Sequence, residues 1–121
     1  MDQNPKKIIA IGGGGFTHKS DEVLDKFVID QCQKKQINFG FLPTASEDNK
    51  DKIKLFYSEL DKYNIELSHF ELCSSSNGFE EWLMAQDIIY IGGGNTKLMI
   101  KIWEDNNLIK VFKDAYNSGI I

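Results

Sequence analysis

A chain of 121 residues and 13.8 kDa can bury one core but has no room for a second domain of ordinary size, so a single domain spanning 1–121 is expected. A hydrophobic share of 41% beside 26% charged residues excludes a disordered chain. The net charge of −4 and a pI near 5.1 leave no basic surface on which phosphates would dominate binding, so no nucleic-acid partner is expected.

Lys6–Gly12, KKIIAIG, is a short apolar run ending at glycine, which predicts a buried parallel strand. After GGGGFTHK, Ser20 is a candidate N-cap with Asp21 and Glu22 in the first turn. Val23, Leu24, Phe27 and Val28 then recur at helical spacing, predicting a helix to about Lys35. Ile37–Leu42, INFGFL, reads as a second strand that Pro43 closes, because proline cannot donate to a ladder. Within 48–63, Ile53, Phe56, Tyr57, Leu60 and Tyr63 form one apolar stripe opposite Lys52, Lys54, Glu59, Asp61 and Lys62, predicting an amphipathic helix. On this reading Glu47 and Asp48 supply acidity at the start of that helix, and Lys50, Lys52 and Lys54 form a solvated face.

Ile65–Cys73 alternates well enough to predict a third strand, and SSSNG is turn chemistry ahead of a short helix, FEEWLMAQ. Asp87–Gly92, DIIYIG, is the most strand-like stretch and runs straight into three glycines. Asn95 then caps a helix whose Leu98, Met99, Ile102 and Trp103 share a face. DNN at 105–107 breaks it before Leu108, Val111, Phe112 and Ala115 repeat the period. Gly119 is positioned as a helix stop, and Ile120–Ile121 as the opening of a further strand. Trp82 and Trp103 are expected to anchor the core. The alternation of strand and helix, without repeats or linkers, predicts an α/β fold: a mostly parallel sheet with helices on both faces. Ligands in such sheets bind beyond the carboxyl ends of the strands, where both glycine clusters and PTASED fall.

The cluster Gly12–Gly15 does not match a dinucleotide fingerprint, since Thr17 stands where a third glycine or alanine is required, and neither cluster continues into the G-K-[ST] of a phosphate-binding loop. A tight turn that lets a helix pack on the sheet explains it as well. Gly92–Gly94 followed by Asn95 and Thr96 is more informative. A glycine run at a strand end aims several backbone N–H groups at one point, which suits an anion or an oxygen that becomes negative in a transition state, while a bare turn capped by Asn95 is the alternative.

KKIIAIGGGGF, FLPTAS and IYIGGGNT followed by a tryptophan-containing helix together resemble the dipeptidase E (peptidase E, alpha-aspartyl dipeptidase) family, with the motifs in family order over essentially the whole chain. That resemblance implies a fold similar to the class I glutamine amidotransferases, a flavodoxin-like three-layer sandwich, and a serine peptidase acting on short peptides with an N-terminal aspartate. It implies a nucleophilic serine in a G-x-S-A-G turn just past Gly119, with a histidine and an acidic partner downstream. On that basis Gly93 and Gly94 are the oxyanion-hole candidates. Gly14, Gly15, Pro43, Thr44, Ser46, Asn95 and Thr96 are the substrate-binding candidates. The chain ends at Ile121, inside the strand expected to deliver the serine, so it reads as the N-terminal portion of such a protein and is expected to be inactive alone. A catalytically dead anion-binding α/β module is the alternative.

No internal substitute for that triad is legible. His18 lies in the first loop, and His69, on the face of its strand opposite Ser68, reads as a packed or rim histidine. Cys32 and Cys73 lack metal-ligand spacing and read as structural thiols of a reducing compartment; no metal and no cofactor is expected. No apolar run approaches the roughly 18 residues of a membrane span, so a cytoplasmic protein without signal peptide or anchor is expected. An uncovered sheet edge is expected to favour self-association.

Overall fold

The computed structural model describes residues 6–11 and 22–121, and within them the fold is α/β. In chain order the elements are α1 (Glu22–Asp30), β1 (Asn38–Leu42), a 3-10 turn (Thr44–Ser46), α2 (Lys50–Leu60), β2 (Glu66–His69), α3 (Phe79–Met84), β3 (Ile88–Ile91), α4 (Thr96–Asp105) and α5 (Ile109–Asn117). The three strands form a parallel sheet in the order β2-β1-β3. Phe39 lies between Leu67 and Ile88, and Phe41 between His69 and Tyr90. No helix among the described residues is long and apolar enough to cross a membrane.

Because side chains alternate along a strand, the sheet buries two different faces. On one, Phe39, Phe41 and Ile88 pack with Val28 of α1 and Phe56 and Leu60 of α2. The ring of Phe41 lies 5.0 Å from that of Phe56 and that of Phe39 5.9 Å from it. On the other, Leu42 packs with Phe79 and Leu83 of α3 and Val111 and Ala115 of α5. Each fully buried phenylalanine contributes about 1.5–3 kcal/mol by leaving water. Trp82 and Trp103 both join this second face, Trp82 donating its Nε1–H to Ser68 Oγ at 3.0 Å and Trp103 stacking on Phe112 with centroids 4.0 Å apart.

Local chemistry sets the helix limits. Asn49 caps α2 by accepting from the Lys52 N–H, and Asn95 caps α4 by accepting from the Leu98 N–H, each at 3.0 Å. At the end of α5, Gly119 takes φ 97°, its N–H bonds to the Tyr116 carbonyl and the Ile120 N–H to the Ala115 carbonyl, both at 3.1 Å. That pair of bonds is a Schellman stop, which places the Ile120 side chain against the second core face. Ile121 then donates to the Asp87 carbonyl (3.0 Å) and accepts from the Ile89 N–H (2.7 Å), the two bonds of a parallel rung on the outer edge of β3.

Several expected limits are shifted. Lys6–Ile11 makes no strand, and Gly12 lies outside the described residues. Ile9 and Ile11 pack side chains on the first core face, which is all that an apolar run signals, and make no ladder bonds among the described residues. α1 ends at Asp30 rather than near Lys35, since the stretch QCQKK beyond it carries little apolar surface for a further turn to bury. The third strand contracts to Glu66–His69 because the backbone turns at 71–74, where the Ser74 N–H reaches the Glu71 carbonyl.

Gly40, mid-strand in β1, lies under the Trp82 ring: a Cβ there would sit 2.7 Å from Trp82 Cη2 and Cζ2. Gly40→Ala therefore forces the indole off the sheet and breaks its bond to Ser68. A loss of about 1–3 kcal/mol is expected in urea unfolding monitored by tryptophan emission.

Candidate active site

The three strands run parallel, so the segments that follow them emerge at one end of the sheet, and they converge on the turn Thr44–Ser46. This turn is wound tightly around the Pro43 carbonyl, which accepts from the Ser46 N–H (3.0 Å), the Asp48 N–H (3.0 Å) and the Ser46 hydroxyl (2.9 Å). The winding carries Glu47 and Asp48 to φ 60° and 54°, two successive left-handed positions without glycine, each costing roughly 1 kcal/mol or more. The segment after β2 is tied in by the Cys73 N–H, which donates to Asp48 Oδ2 at 2.8 Å, while Cys73 Sγ lies 3.7 Å from the Thr44 carbonyl. The segment after β3 is tied in by the Asn95 N–H, which donates to the Ala45 carbonyl at 2.6 Å.

Asp48, expected to supply acidity at the start of α2, is instead a buried tie between two loops. It is 8% exposed, holds the second loop through Oδ2, and leaves Oδ1 without a partner among the described residues. Burial raises its pKa above the ordinary carboxylate value, opposed in part by the Cys73 N–H. Burial and the neighbouring Asp48 push the Cys73 thiol up to about 11, so the sulfur stays protonated and inert at neutral pH.

The glycines after β3 have three different surroundings. At Gly92 a Cβ would meet the Phe41 ring at 3.0 Å, and its N–H closes the sheet on the Leu42 carbonyl at 3.1 Å. Gly94, at φ 145°, lies so close to Ala45 that a Cβ would fall 2.3 Å from that carbonyl oxygen. Gly93 is exposed, with nothing within 4 Å of its Cβ position. Among the described residues the N–H groups of Gly93 and Gly94 meet no backbone acceptor, and those of Thr96 and Lys97 open the first turn of α4. These donors lie at the positive end of a helix dipole, an arrangement that stabilises negative charge.

Of the remaining sequence candidates, Pro43 and Thr44 are fully buried and shape the turn from beneath, with Thr44 Oγ1 unpartnered among the described residues. The Ser46 hydroxyl is committed to Pro43 and the Asn95 side chain to its cap, while Thr96 is exposed. Gly14, Gly15 and His18 lie outside the described residues. Lys52, expected on the solvated face, makes an exposed contact there, with Nζ 3.5 Å from the Gly93 carbonyl. It lines, with Gly92, Gly93, Tyr90 and Ile91, a groove of about 480 Å³ along β3. Its place at the glycine loop follows from the fold, and nothing in the lysine spacing signals it.

His69 is half-buried between Tyr57, whose hydroxyl lies 2.6 Å from Nδ1, and Glu71, whose Oε2 lies 2.9 Å from Nε2. The His69 hydrogen bond holds the Glu71 carboxyl below its usual range, and burial raises the Tyr57 hydroxyl. With Glu71 ionised, Nε2 is the donor and Nδ1 accepts from Tyr57. Both ring nitrogens are occupied, and among the described residues no serine hydroxyl reaches a histidine. No cluster of three metal-ligating side chains occurs among the described residues.

The glycine loop thus sets the amides of Gly93 and Gly94 at the carboxyl end of a parallel strand, the end at which ligands bind in open α/β sheets. The model of Peptidase family S51 matches residues 8–121, and the chain belongs to that family, the dipeptidase E family. It is 35% identical over 118 residues to the uncharacterized peptidase YgaJ of Bacillus subtilis (strain 168), a match that takes in 96% of this chain and 51% of the relative. The chain thus spans about half the length of that curated relative. No solved structure matches it.

Two predictions follow from the loop geometry. Gly94→Ala drives a methyl into the Ala45 carbonyl and is expected to cost about 1–3 kcal/mol, whereas Gly93→Ala stays within about 0.5 kcal/mol, both read by chemical denaturation. The raised carboxyl of Asp48 stabilises the fold most below the ordinary carboxylate pKa and loses that contribution as pH rises through its folded value. Asp48→Asn, which carries no charge, is therefore expected to gain stability relative to the parent at pH 7. The difference shrinks on acidification through the carboxylate range, as read by melting temperature against pH.

Proposed function

We propose that this chain supplies the near side of the active-site cleft of a serine-type peptidase that hydrolyses short peptides bearing an N-terminal aspartate. The observation that carries this reading is the set of amides at Gly93, Gly94 and the first turn of α4, open among the described residues, in a member of a peptidase family. When a nucleophile adds to a peptide carbonyl, the oxygen takes on a full negative charge. A backbone N–H fixed in advance by the fold stabilises that charge without reorganising, at about 3 kcal/mol or a hundredfold or more in rate per donor. Gly93 and Gly94 are the donors in this reading. Gly14, Gly15, Pro43, Thr44, Ser46, Asn95 and Thr96 shape the wall against which the peptide lies, and no cofactor is required. The nucleophilic serine, its histidine and the acidic partner are assigned, by the family resemblance, to residues other than 1–121; His69 is engaged by Tyr57 and Glu71. The protein is taken to act in the cytoplasm, with 1–121 as part of one α/β domain.

One experiment on two chains tests this. A reading frame continued beyond residue 121 is searched for G-x-S-A-G and a downstream histidine, and the longer chain and residues 1–121 are both assayed on aspartyl dipeptides. The longer chain is expected to cleave Asp-X and leave X-Asp intact, and residues 1–121 to give no turnover above buffer. Efficient cleavage by residues 1–121, or a continued frame without the serine motif, overturns the reading. The alternative, an anion-binding module without catalysis, rests on the same amides of Gly93 and Gly94 at the start of α4. It predicts calorimetric heat with aspartyl peptides or nucleotides and no turnover from either chain. Beyond the rung at Ile121 no described residue pairs with the outer edge of β3, which supports self-association through that edge, to be read by light scattering.

A further inference from the structure

We infer that Lys52 is a positioning residue: its ammonium group holds the carbonyl of Gly93 and thereby fixes which way the Gly94 N–H faces. The inference rests on the peptidase reading for its functional meaning, and on geometry alone for its structural content. Two peptides of the loop after β3 are fixed by backbone bonds, the Gly92 N–H on the Leu42 carbonyl at 3.1 Å and the Asn95 N–H on the Ala45 carbonyl at 2.6 Å. Between them, the peptide joining Gly93 to Gly94 has no backbone partner among the described residues. It is bounded by glycine on both sides, and the Gly93 Cβ position is open to 4 Å, so neither side-chain bulk nor a β-carbon resists its rotation as a unit. Lys52 Nζ, 3.5 Å from the Gly93 oxygen, is the group that meets this peptide.

Planarity turns that contact into a directional device. No peptide bond among the described residues is cis, so the C=O of Gly93 and the N–H of Gly94 point in opposite directions. A cation that draws the oxygen toward α2 presents the N–H on the far side, and a flip exchanges them, placing the oxygen where the donor stood. A carbonyl there would repel a developing oxyanion. The lysine is well placed for this role. It lies in the first turn of α2, and its own N–H is held at 3.0 Å by the Asn49 cap, so the loop that sets Ala45 under Gly94 also sets the start of the lysine's helix. A charged partner also polarises the amide and strengthens the N–H beyond it as a donor.

The test reads the peptide directly, by nuclear magnetic resonance on the isotopically labelled 121-residue chain and its Lys52→Met, Lys52→Gln and Lys52→Arg variants. In the parent, the Gly94 amide proton faces away from residue 52. In the Met and Gln variants, the Gly93 carbonyl carbon and Gly94 nitrogen shifts are expected to move, and a cross-relaxation peak from the Gly94 amide proton to the residue 52 side chain to grow several-fold. The Arg variant, which keeps the charge, restores the parent pattern. Unchanged Gly93 and Gly94 signals in whichever neutral variant keeps a dispersed spectrum, or an Arg variant that behaves like Met, overturn the inference. Because these signals do not depend on turnover, failure of the peptidase assay and failure of the positioning role are read separately. In a chain that turns over, the same loss lowers kcat at unchanged KM, as befits a donor used only by the transition state.

Discussion

The carbonyl of Ala45 is the point on which the loop architecture depends. It accepts the Asn95 N–H at 2.6 Å and occupies the space where Gly94 would carry a side chain. That one contact holds the glycine loop after β3 against the turn after β1, and the same turn receives Cys73 through Asp48. The three loops are therefore one unit. It is tied by short hydrogen bonds, one of them to the Asp48 carboxylate, which suits a site where peptide groups must be exposed and yet fixed. The strain of two consecutive left-handed residues, Glu47 and Asp48, is the cost of winding the turn tightly enough to aim both Asp48 and Ala45.

Beneath the loops, the sheet supplies the reference frame. Phe39 and Phe41 on one face and Leu42 on the other fix β1 between two helical layers, so the position of Pro43 and the turn beyond it is set by burial on both sides. Gly92 closes against the Phe41 ring and bonds to Leu42, which transmits that frame to the glycine loop. The core is thus continuous with the candidate site through Phe41 and Leu42.

Elements governed by local chemistry were legible in the sequence. The apolar stripe of Ile53, Phe56, Tyr57 and Leu60, the Asn95 cap, the break at 105–107 and the Gly119 stop each have a cause within a few residues, and the structure repeats them. What depended on distant partners was not. Asp48 reads as helix-start acidity until Cys73, 25 residues away, is seen to donate to it, whereupon Asn49 takes over the cap. The run Lys6–Ile11 is apolar enough for a strand, but an apolar run does not report pairing: Ile9 and Ile11 are partly buried against the first core face without a ladder, and Ile8 is exposed. The glycine run reads from sequence as amides aimed at one point, and the groups that close on its backbone come from distant segments. At Gly94 the approaching group is the chain's own Ala45, and at Gly92 the Phe41 ring, while the Cβ position of Gly93 faces open space. Lys52 was hidden among like-charged neighbours, because no spacing rule says which lysine of a helix reaches across to another loop.

The two indoles, Trp82 and Trp103, share the second face of the sheet, whereas Tyr57, Tyr63 and Tyr90 lie on the first. The molecule therefore carries a natural division of optical labels. Emission excited at the red edge, where only indole absorbs, watches the layer of α3 and α5. Phenolic absorption, contributed chiefly by the other layer, follows α1 and α2, so departure of either helical layer from the sheet would leave its own spectral trace.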